Sequence, residues 1–336
     1  MSVALTRSRL SNAFRCYVGY ALNRLGSALF RSPVSRSPVS RSPFAFRHSP
    51  LFVSVEPANI CQLRCPACPV GRRDTGIPGF RDSERFMSLD LWHRVLSEIR
   101  GTALVVQFYF QGEPLLNKNL PSMIREAHDA GLYTIVSTNA QAMTSELATA
   151  LVTSGLDRII VSMDGLTDAS CNAYRIGGSL EKTKQALRWL REAKGRMVIE
   201  LQCLRLRTNE HEWGEMKMQY KSLGADKLTL KTAQLYDYAD GHPLMPSEEK
   251  YSRYIKGKDG KYHRRKLSKG CWRVWSGCVI TTSGEVLPCC YDKGHAFSYG
   301  NIMEASLKDL FRSEKAQAFR KAAYQQTPNI CQECYK

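Results

Sequence analysis

No aspartate or glutamate occurs before Glu56, although 31 acids are present in the 336-residue chain. Eight arginines occupy that acid-free stretch: Arg7, Arg9, Arg15, Arg24, Arg31, Arg36, Arg41 and Arg47. Almost half of the formal charge of +17 therefore sits in the first sixth of the sequence. Also missing is any run of ~18 uncharged apolar residues, which excludes a membrane-spanning helix. Glycine and proline stay at 23 and 14, too few for a collagen or a wholly disordered chain. What is abundant is cysteine, at twelve. A secreted disulfide framework belongs to a short chain, so in one this long, clustered cysteines read as metal or Fe–S ligands in the reducing cytoplasm. The 43% apolar content supports one large α/β unit with an appendage.

The N-terminal segment, residues 1–50, divides in two. Leu10, Phe14, Tyr17, Val18, Leu22, Leu25 and Leu29 recur at the spacing of an amphipathic helix. Three placements are open for it: an anionic membrane surface at the inner face of the membrane (contact through residues 1–30), the body of the protein, or a cleaved targeting peptide. Arg15 and Arg24 interrupt the apolar stretch and argue against a secretory signal. A pentapeptide repeat follows, Arg31-Ser-Pro-Val-Ser, then Arg36-Ser-Pro-Val-Ser, then Arg41-Ser-Pro-Phe. Its regular prolines forbid helix and predict an extended or flexible linker.

From residue 51 short apolar runs alternate with helical stretches. Strands are expected at Leu51–Glu56, Leu104–Phe110, Leu132–Ser137, Arg158–Met163, Met197–Leu204 and Lys227–Lys231. Helices are expected near 88–100, 119–130, 144–154, 180–194 and 210–223, each followed by a glycine. Six β–α units in series imply a parallel sheet covered by helices, with the chemistry at the C-terminal strand ends.

Cys61-Gln-Leu-Arg-Cys65-Pro-Ala-Cys68 comes directly after the first of these strands. A structural zinc site needs four ligands, and the next candidate is as distant as His93. An iron–sulfur cubane held by three cysteines leaves one iron open to a ligand. This Cys-x3-Cys-x2-Cys motif after the first strand resembles the radical S-adenosylmethionine (SAM) superfamily, from about residue 51 to the C-terminus. The resemblance implies a partial (β/α)6 TIM-like barrel over residues 51–235, with Cys61, Cys65 and Cys68 on a [4Fe–4S] cluster whose fourth iron binds SAM. Reductive cleavage of SAM would then yield a 5′-deoxyadenosyl radical that removes a hydrogen atom from the substrate. Gly112-Glu113-Pro114 is similar to the family's "GE" motif, where Glu113 would accept from the SAM ammonium. The strand-end residues Ser137, Thr138, Asn139, Ser162 and Asp164 would contact SAM, and Arg175 would pair with its carboxylate. Ala67 stands where the family often has an aromatic residue, so no side-chain stacking is expected from that position.

Cys271, Cys278, Cys289, Cys290, Cys331 and Cys334 form a second set. A hairpin signal, Val279–Thr282 then Ser-Gly then Glu285–Cys289, separates its first members. Two pairs of thiolates suit either zinc or a fully ligated [4Fe–4S] cluster. The resemblance extends here to the SPASM/twitch type of Fe–S domain over residues 271–336, the shorter twitch version fitting better. It implies an auxiliary [4Fe–4S] cluster on Cys271, Cys289, Cys331 and Cys334, with Cys278 and Cys290 as alternative ligands. Such a cluster would accept or relay an electron. Cys16, Cys171 and Cys203 read as small apolar residues.

Residues 236–270 lack periodicity and read as a basic linker in which Tyr236, Tyr238, Tyr251, Tyr254 and Tyr262 interleave with lysine and arginine. A solvated cover over the active site or a holder for an anionic substrate fits better than nucleic acid, since no nucleic-acid module accompanies it. His242, His263 and His295 are available as proton acceptors. The leading expectation is an oxidoreductase of dehydrogenase type acting on a small or carrier-linked, anionic or sugar-like substrate, fed by a donor such as flavodoxin or ferredoxin. The alternative is a maturase of ribosomally made peptides; the shortness of residues 1–50 argues against a leader-binding domain there. A zinc-containing nucleic-acid-binding protein is a distant third.

Overall fold

A computed structural model describes residues 3–29, 48–73, 85–265, 271–325, 327–332 and 334. The Arg-Ser-Pro repeat and residues 266–270 of the basic linker lie outside these, and so does the expectation of a flexible linker at the repeat. The six expected strands are present as β1 (Phe52–Val55), β2 (Val105–Phe108), β3 (Tyr133–Thr138), β4 (Arg158–Ser162), β5 (Val198–Arg205) and β6 (Lys227–Thr232). They pair in chain order and in parallel, starting from Phe52 opposite Val105.

Helices cover one face of this sheet. After α1 (Arg7–Leu29) and the single turn α2 (Pro69–Arg72), they are α3 (Leu89–Ile99), α4 (Leu120–Asp129), α5 (Ser145–Thr153), α6 (Asp168–Asn172), α7 (Leu180–Ala193) and α8 (Trp213–Gln219). Ser88, Thr144 and Ser179 each accept a backbone N–H in the first turn of α3, α5 and α7, which fixes where those helices begin. Val53, Val106, Val136, Ile159 and Leu201 point under the helices and are buried. The alternate residues face inward. There Ser54 donates to Gln107 at 3.0 Å and Arg158 pairs with Glu200.

Two features depart from a barrel with separate appendages. After β7 (Tyr254–Lys256) and β8 (Tyr262–Arg264), which form their own antiparallel pair, α9 (Trp272–Ser276) leads into β9 (Gly277–Ile280). β9 lies parallel to β1, Phe52 opposite Gly277, and β10 (Val286–Leu287) folds back antiparallel on it. The expected hairpin therefore exists, but it extends the main sheet to eight strands in the order β10-β9-β1-β2-β3-β4-β5-β6. Pairing β9 with β1 covers what would otherwise be an open edge of the barrel. The chain ends in α10 (Leu307–Arg312), α11 (Glu314–Gln325) and α12 (Asn329–Gln332). The linker, expected to be irregular, contains the β7–β8 hairpin, whose three-residue strands are too short to show a period. Tyr254 anchors it, its hydroxyl donating to Leu235 O at 2.9 Å while its ring stacks on Tyr238.

Of the placements open to the N-terminal helix, packing on the body is observed. Buried Arg9 donates to the carbonyls of Ala4, Arg100, Ala130 and Gly131, each at 2.7 Å. Arg100 and Ala130 cap the C-termini of α3 and α4, where free carbonyls concentrate negative charge, so the guanidinium closes both ends. Asn12 holds Ser49 and Thr102, and Trp275 donates to Cys16 O at 2.9 Å. No helix among the described residues is long and apolar enough to cross a membrane.

Candidate active site

The loop leaving β1 carries Cys61, Cys65 and Cys68, and α2 begins with Cys68 as its N-cap and Pro69 in its first turn. Gly71 makes the tight fold of this loop feasible: a Cβ there would lie 2.5 Å from Cys65 N and 2.6 Å from Cys65 O. The three thiols feel one another electrostatically. Burial pushes Cys65 up to about 12, with Cys68 and Cys61 adding to the rise and Arg175 opposing it. Cys61 is pushed up to about 11, burial again leading and the Leu63 N–H countering. Among the described residues no three Cys, His, Asp or Glu side chains converge on a point sized for a single metal ion.

Gly112-Glu113-Pro114 follows β2 and is locked to the same loop. Gly112 has φ +64°, and a Cβ would lie 2.2 Å from Ala58 O, so the two loops touch backbone to backbone. Glu113 N–H donates to Ile60 O at 2.8 Å. The Glu113 carboxylate is buried and accepts from Leu115 N–H, from Thr138 Oγ1 at 2.5 Å and from Asn139 N–H at 2.8 Å. With about four lone-pair sites on a carboxylate, three protein donors leave one free. Burial raises its pKa, against the pull of those donors. Asn139 continues the chain of contacts, donating its side-chain amide to Cys61 Sγ at 3.3 Å while accepting from Gln62 Nε2 at 3.1 Å. Glu113, Asn139 and Cys61, expected together, are together.

Asp164 and Arg175 are placed elsewhere in the same neighbourhood, and they engage each other. Arg175 Nε donates to Asp164 Oδ2 at 2.7 Å, and Asp164 Oδ1 accepts from Leu204 N–H at 2.6 Å. Desolvation opposes the Arg175 charge, but Asp164 and the Cys65 thiol outweigh it and the pKa rises. Ser137 and Ser162 lie on the inner face of β3 and β4, and Pro114 is buried at the start of a short 3-10 turn.

At the other end of the sequence the chain brings together five of the six cysteines. Cys289, raised by burial, is influenced by Cys290, Cys271 and Cys334. Cys334, pushed up to about 12 by burial first, is influenced by Cys271, Cys290 and Cys331. Arg264 of β8 donates to Cys331 O at 2.9 Å and also to Cys334 O, fastening the terminal Cys-x2-Cys to the β7–β8 hairpin. Cys278 stands apart: it is buried in β9, its thiol pushed up to about 12 by burial with Arg320 opposing. A cavity of about 230 Å³ between β1, α9 and Cys289–Cys290 is floored by Ser54 and Gln107. Arg273 faces it and donates to Cys290 Sγ at 3.1 Å. Inner-face Lys231 is lowered by burial and then by Arg273, Arg158 and Arg253, so cations predominate on this side.

The radical SAM superfamily model matches residues 55–213 and the iron–sulfur cluster-binding SPASM model matches residues 271–335, both cysteine sets included. The chain therefore carries a radical SAM domain followed by an SPASM domain. This radical SAM enzyme is 28% identical over 314 residues to a PqqA peptide cyclase of Rhodopseudomonas palustris, covering 85% of this chain and 79% of the relative. A PqqA peptide cyclase of Rhizobium meliloti is 25% identical with the same coverage. Among solved structures it resembles Streptococcus suis SuiB, with TM-score 0.64 and 15% identity over 93% of this chain and 80% of that one. These domains imply a [4Fe–4S] cluster that binds SAM, SAM itself, and auxiliary Fe–S chemistry in the SPASM region. The donor set fits such groups: thiols gathered on two loops, one thiol already receiving an amide N–H, and backbone folded closely around Cys65.

The linear pattern does not reveal the residues that brace the site. Gln141 donates to Ser179 O at 3.1 Å and accepts from Ser179 N–H, tying the β3 end to α7. Asn209 donates to Asp164 O and Leu204 O at 2.9 Å each. A polar residue inside a polar loop gives no signal of its partner, whereas Arg273, two residues past Cys271, was open to inference. The three available histidines, none of them singled out by the sequence, are engaged: His295 meets Glu285 at 2.6 Å, His263 meets Asp259 at 2.9 Å, and His242 Nδ1 accepts from Leu244 N–H.

Proposed function

We propose that this radical SAM enzyme modifies a ribosomally made peptide, joining two of its side chains, rather than dehydrogenating a small sugar-like molecule. The observation that carries this reading is the likeness to peptide cyclases along most of both chains, 85% of this one and 79% of each relative. SuiB, whose fold it shares, has been crystallised bound to the precursor peptide SuiA, which accords with a peptide substrate.

In this reading residues 51–235 are the catalytic unit and residues 271–336 the auxiliary one, joined by the linker at 236–270. Cys61, Cys65 and Cys68 hold the SAM-binding cluster. Cys271, Cys289, Cys331 and Cys334 hold the auxiliary cluster, with Cys290 beside them. When bound, these groups supply the one-electron reduction that generates a hydrogen-abstracting radical from SAM, and an acceptor for the electron that the substrate gives up. The chain's residues position and shield. Gly112, Glu113 and Pro114 fix the loop facing the first cysteines, and the remaining lone pair of Glu113 is available to the SAM ammonium. Ser137, Asn139, Ser162 and Asp164 line the SAM site from the ends of β3 and β4, and Arg175 reaches it from the loop after α6. Arg175 is neutralised by Asp164, so it offers its remaining N–H groups rather than an unpaired charge to a carboxylate. The cations Lys231 and Arg273 on the inner face suit a substrate segment bearing carboxylates.

The test is anaerobic reconstitution with iron and sulfide, a reductant such as flavodoxin or ferredoxin, SAM, and a panel of precursor peptides alongside aminocyclitols. A crosslink removes two hydrogens from the peptide, read by mass spectrometry together with 5′-deoxyadenosine release. Turnover of an aminocyclitol with every peptide unchanged would reverse the assignment. Cys65→Ala should release no 5′-deoxyadenosine.

A further inference from the structure

The N-terminal helix α1 is amphipathic in an inverted sense. Over its first turns the side chains it turns toward the body are polar or small, with one aromatic further on: Arg9 and Asn12 spend their hydrogen-bonding groups on backbone carbonyls, Cys16 is buried under Trp275, and Tyr20 meets the Trp272 ring edge-on at 5.0 Å. The side chains it turns outward are large and apolar. Leu10, Phe14 and Tyr17, spaced for one helical face, are 51%, 63% and 67% exposed, and Leu5 just before the helix is 62% exposed. Rolling the helix to bury them would strip Arg9 and Asn12 of their partners, so the outward face is fixed by the inward one. Soluble proteins rarely leave such a row uncovered.

We propose that this face of α1 seats the enzyme on an anionic lipid surface, with the helix lying in the plane of the interface. Charge chooses this occupant. Arg7 and Arg15 are exposed on the same helix, and residues 1–55 carry eight arginines without one acidic residue. Arginine flanking an apolar face is the composition of interfacial helices, whose apolar side chains enter the headgroup boundary while the guanidinium groups meet lipid phosphates. A second copy of the chain fits poorly, because self-association would press two acid-free, arginine-rich segments together. Attachment in the interfacial plane agrees with the lack, among described residues, of a helix able to span a bilayer.

The experiment sediments the full-length, iron-loaded protein with sucrose-loaded vesicles of phosphatidylcholine alone or mixed equally with phosphatidylglycerol. We expect pelleting with the anionic vesicles only, weakened by high salt, since exposed charges are screened within about 10 Å at 0.1 M salt. L10E/F14E/Y17E should reduce that partitioning at least ten-fold while keeping the iron content and melting temperature of the parent, because these side chains touch solvent. F14S, a milder change, should give an intermediate loss and guards against misfolding of the triple variant. Equal pelleting of parent and variants, indifference to lipid charge, or parent protein left in the supernatant would each overturn the proposal. So would a lipid-free dimer that the triple variant converts to monomer, which would make this face a self-interface.

Discussion

Asn139, at the end of β3, donates its side-chain amide to Cys61 Sγ at 3.3 Å while its backbone N–H is held by Glu113 at 2.8 Å. One residue thus couples the first cysteine loop to the loop after β2. An amide directed at a sulfur stabilises the thiolate over the thiol and orients it for a metal. Asn139→Ala removes that donor and the acceptor used by Gln62. Loss of such an outer contact costs roughly 10–100-fold in metal affinity. We expect iron to leave the N-terminal site at least ten-fold faster under chelator challenge, with the auxiliary iron unaffected. Equal rates would show that the contact does not support the site.

The two cysteines left open by sequence sit in different surroundings. Cys290 shares an electrostatic neighbourhood with Cys271, Cys289 and Cys334, whereas Cys278 lies in the strand β9 against Arg320. Cys290→Ser should change the auxiliary cluster's spectrum or iron content. Cys278→Ala should keep the full iron count and lower stability by about 1 kcal/mol, the typical effect of a core substitution. Iron loss in Cys278→Ala with none in Cys290→Ser would invert the assignment.

The six barrel strands were legible because each is a local run of apolar residues bounded by turn-forming sequence, and the Cys61–Cys68 loop was legible because three cysteines within eight residues after the first strand resemble the radical SAM motif. The pairing of β9 with β1 was not. It joins backbones from opposite ends of the chain, and backbone hydrogen bonds leave no mark on residue type. The N-terminal helix was legible as amphipathic, but periodicity cannot tell which face turns inward. Arg9 settles that through carbonyls at two helix ends, contacts that no linear pattern encodes. Glu113 shows the same limit: its motif placed it at the site, yet its three protein donors come from backbone and from Thr138.

The buried Asp164–Arg175 pair should be costly to break from either side. Asp164→Asn keeps an acceptor for Leu204 N–H but leaves the guanidinium without its counter-charge. Removing one partner of a buried ion pair typically destabilises by about 3–5 kcal/mol. The double variant Asp164→Asn/Arg175→Met should regain part of that loss, because no unpaired charge remains. Denaturant melts of the two single variants and the double would read the coupling. Strict additivity would mean that the two residues do not support each other.

His48 is buried, stacked on Trp275 at 5.4 Å, with Nε2 2.8 Å from Trp275 O. Burial lowers its pKa from 6.5 to about 4, helped by Arg320 and Arg312 and opposed by the Trp275 carbonyl. The fold therefore holds the neutral ring, whose Nε2–H donates to that carbonyl. The unfolded chain binds a proton at His48 from about pH 6.5 downward, while the folded chain does not until about pH 4. In that window the unfolded state carries more protons, so stability falls as pH falls; above it the contribution is complete. Each tenfold weakening of proton binding is worth about 1.4 kcal/mol, so the full loss by pH 4 is about 3 kcal/mol. His48→Gln retains an N–H donor for Trp275 O but does not titrate. Its stability should lie below the parent's at pH 7, and its decline between pH 6.5 and 4 should be shallower by about that amount. Parallel curves of unfolding free energy against pH for the two proteins would mean that protonation of His48 does not govern the acid sensitivity of this contact.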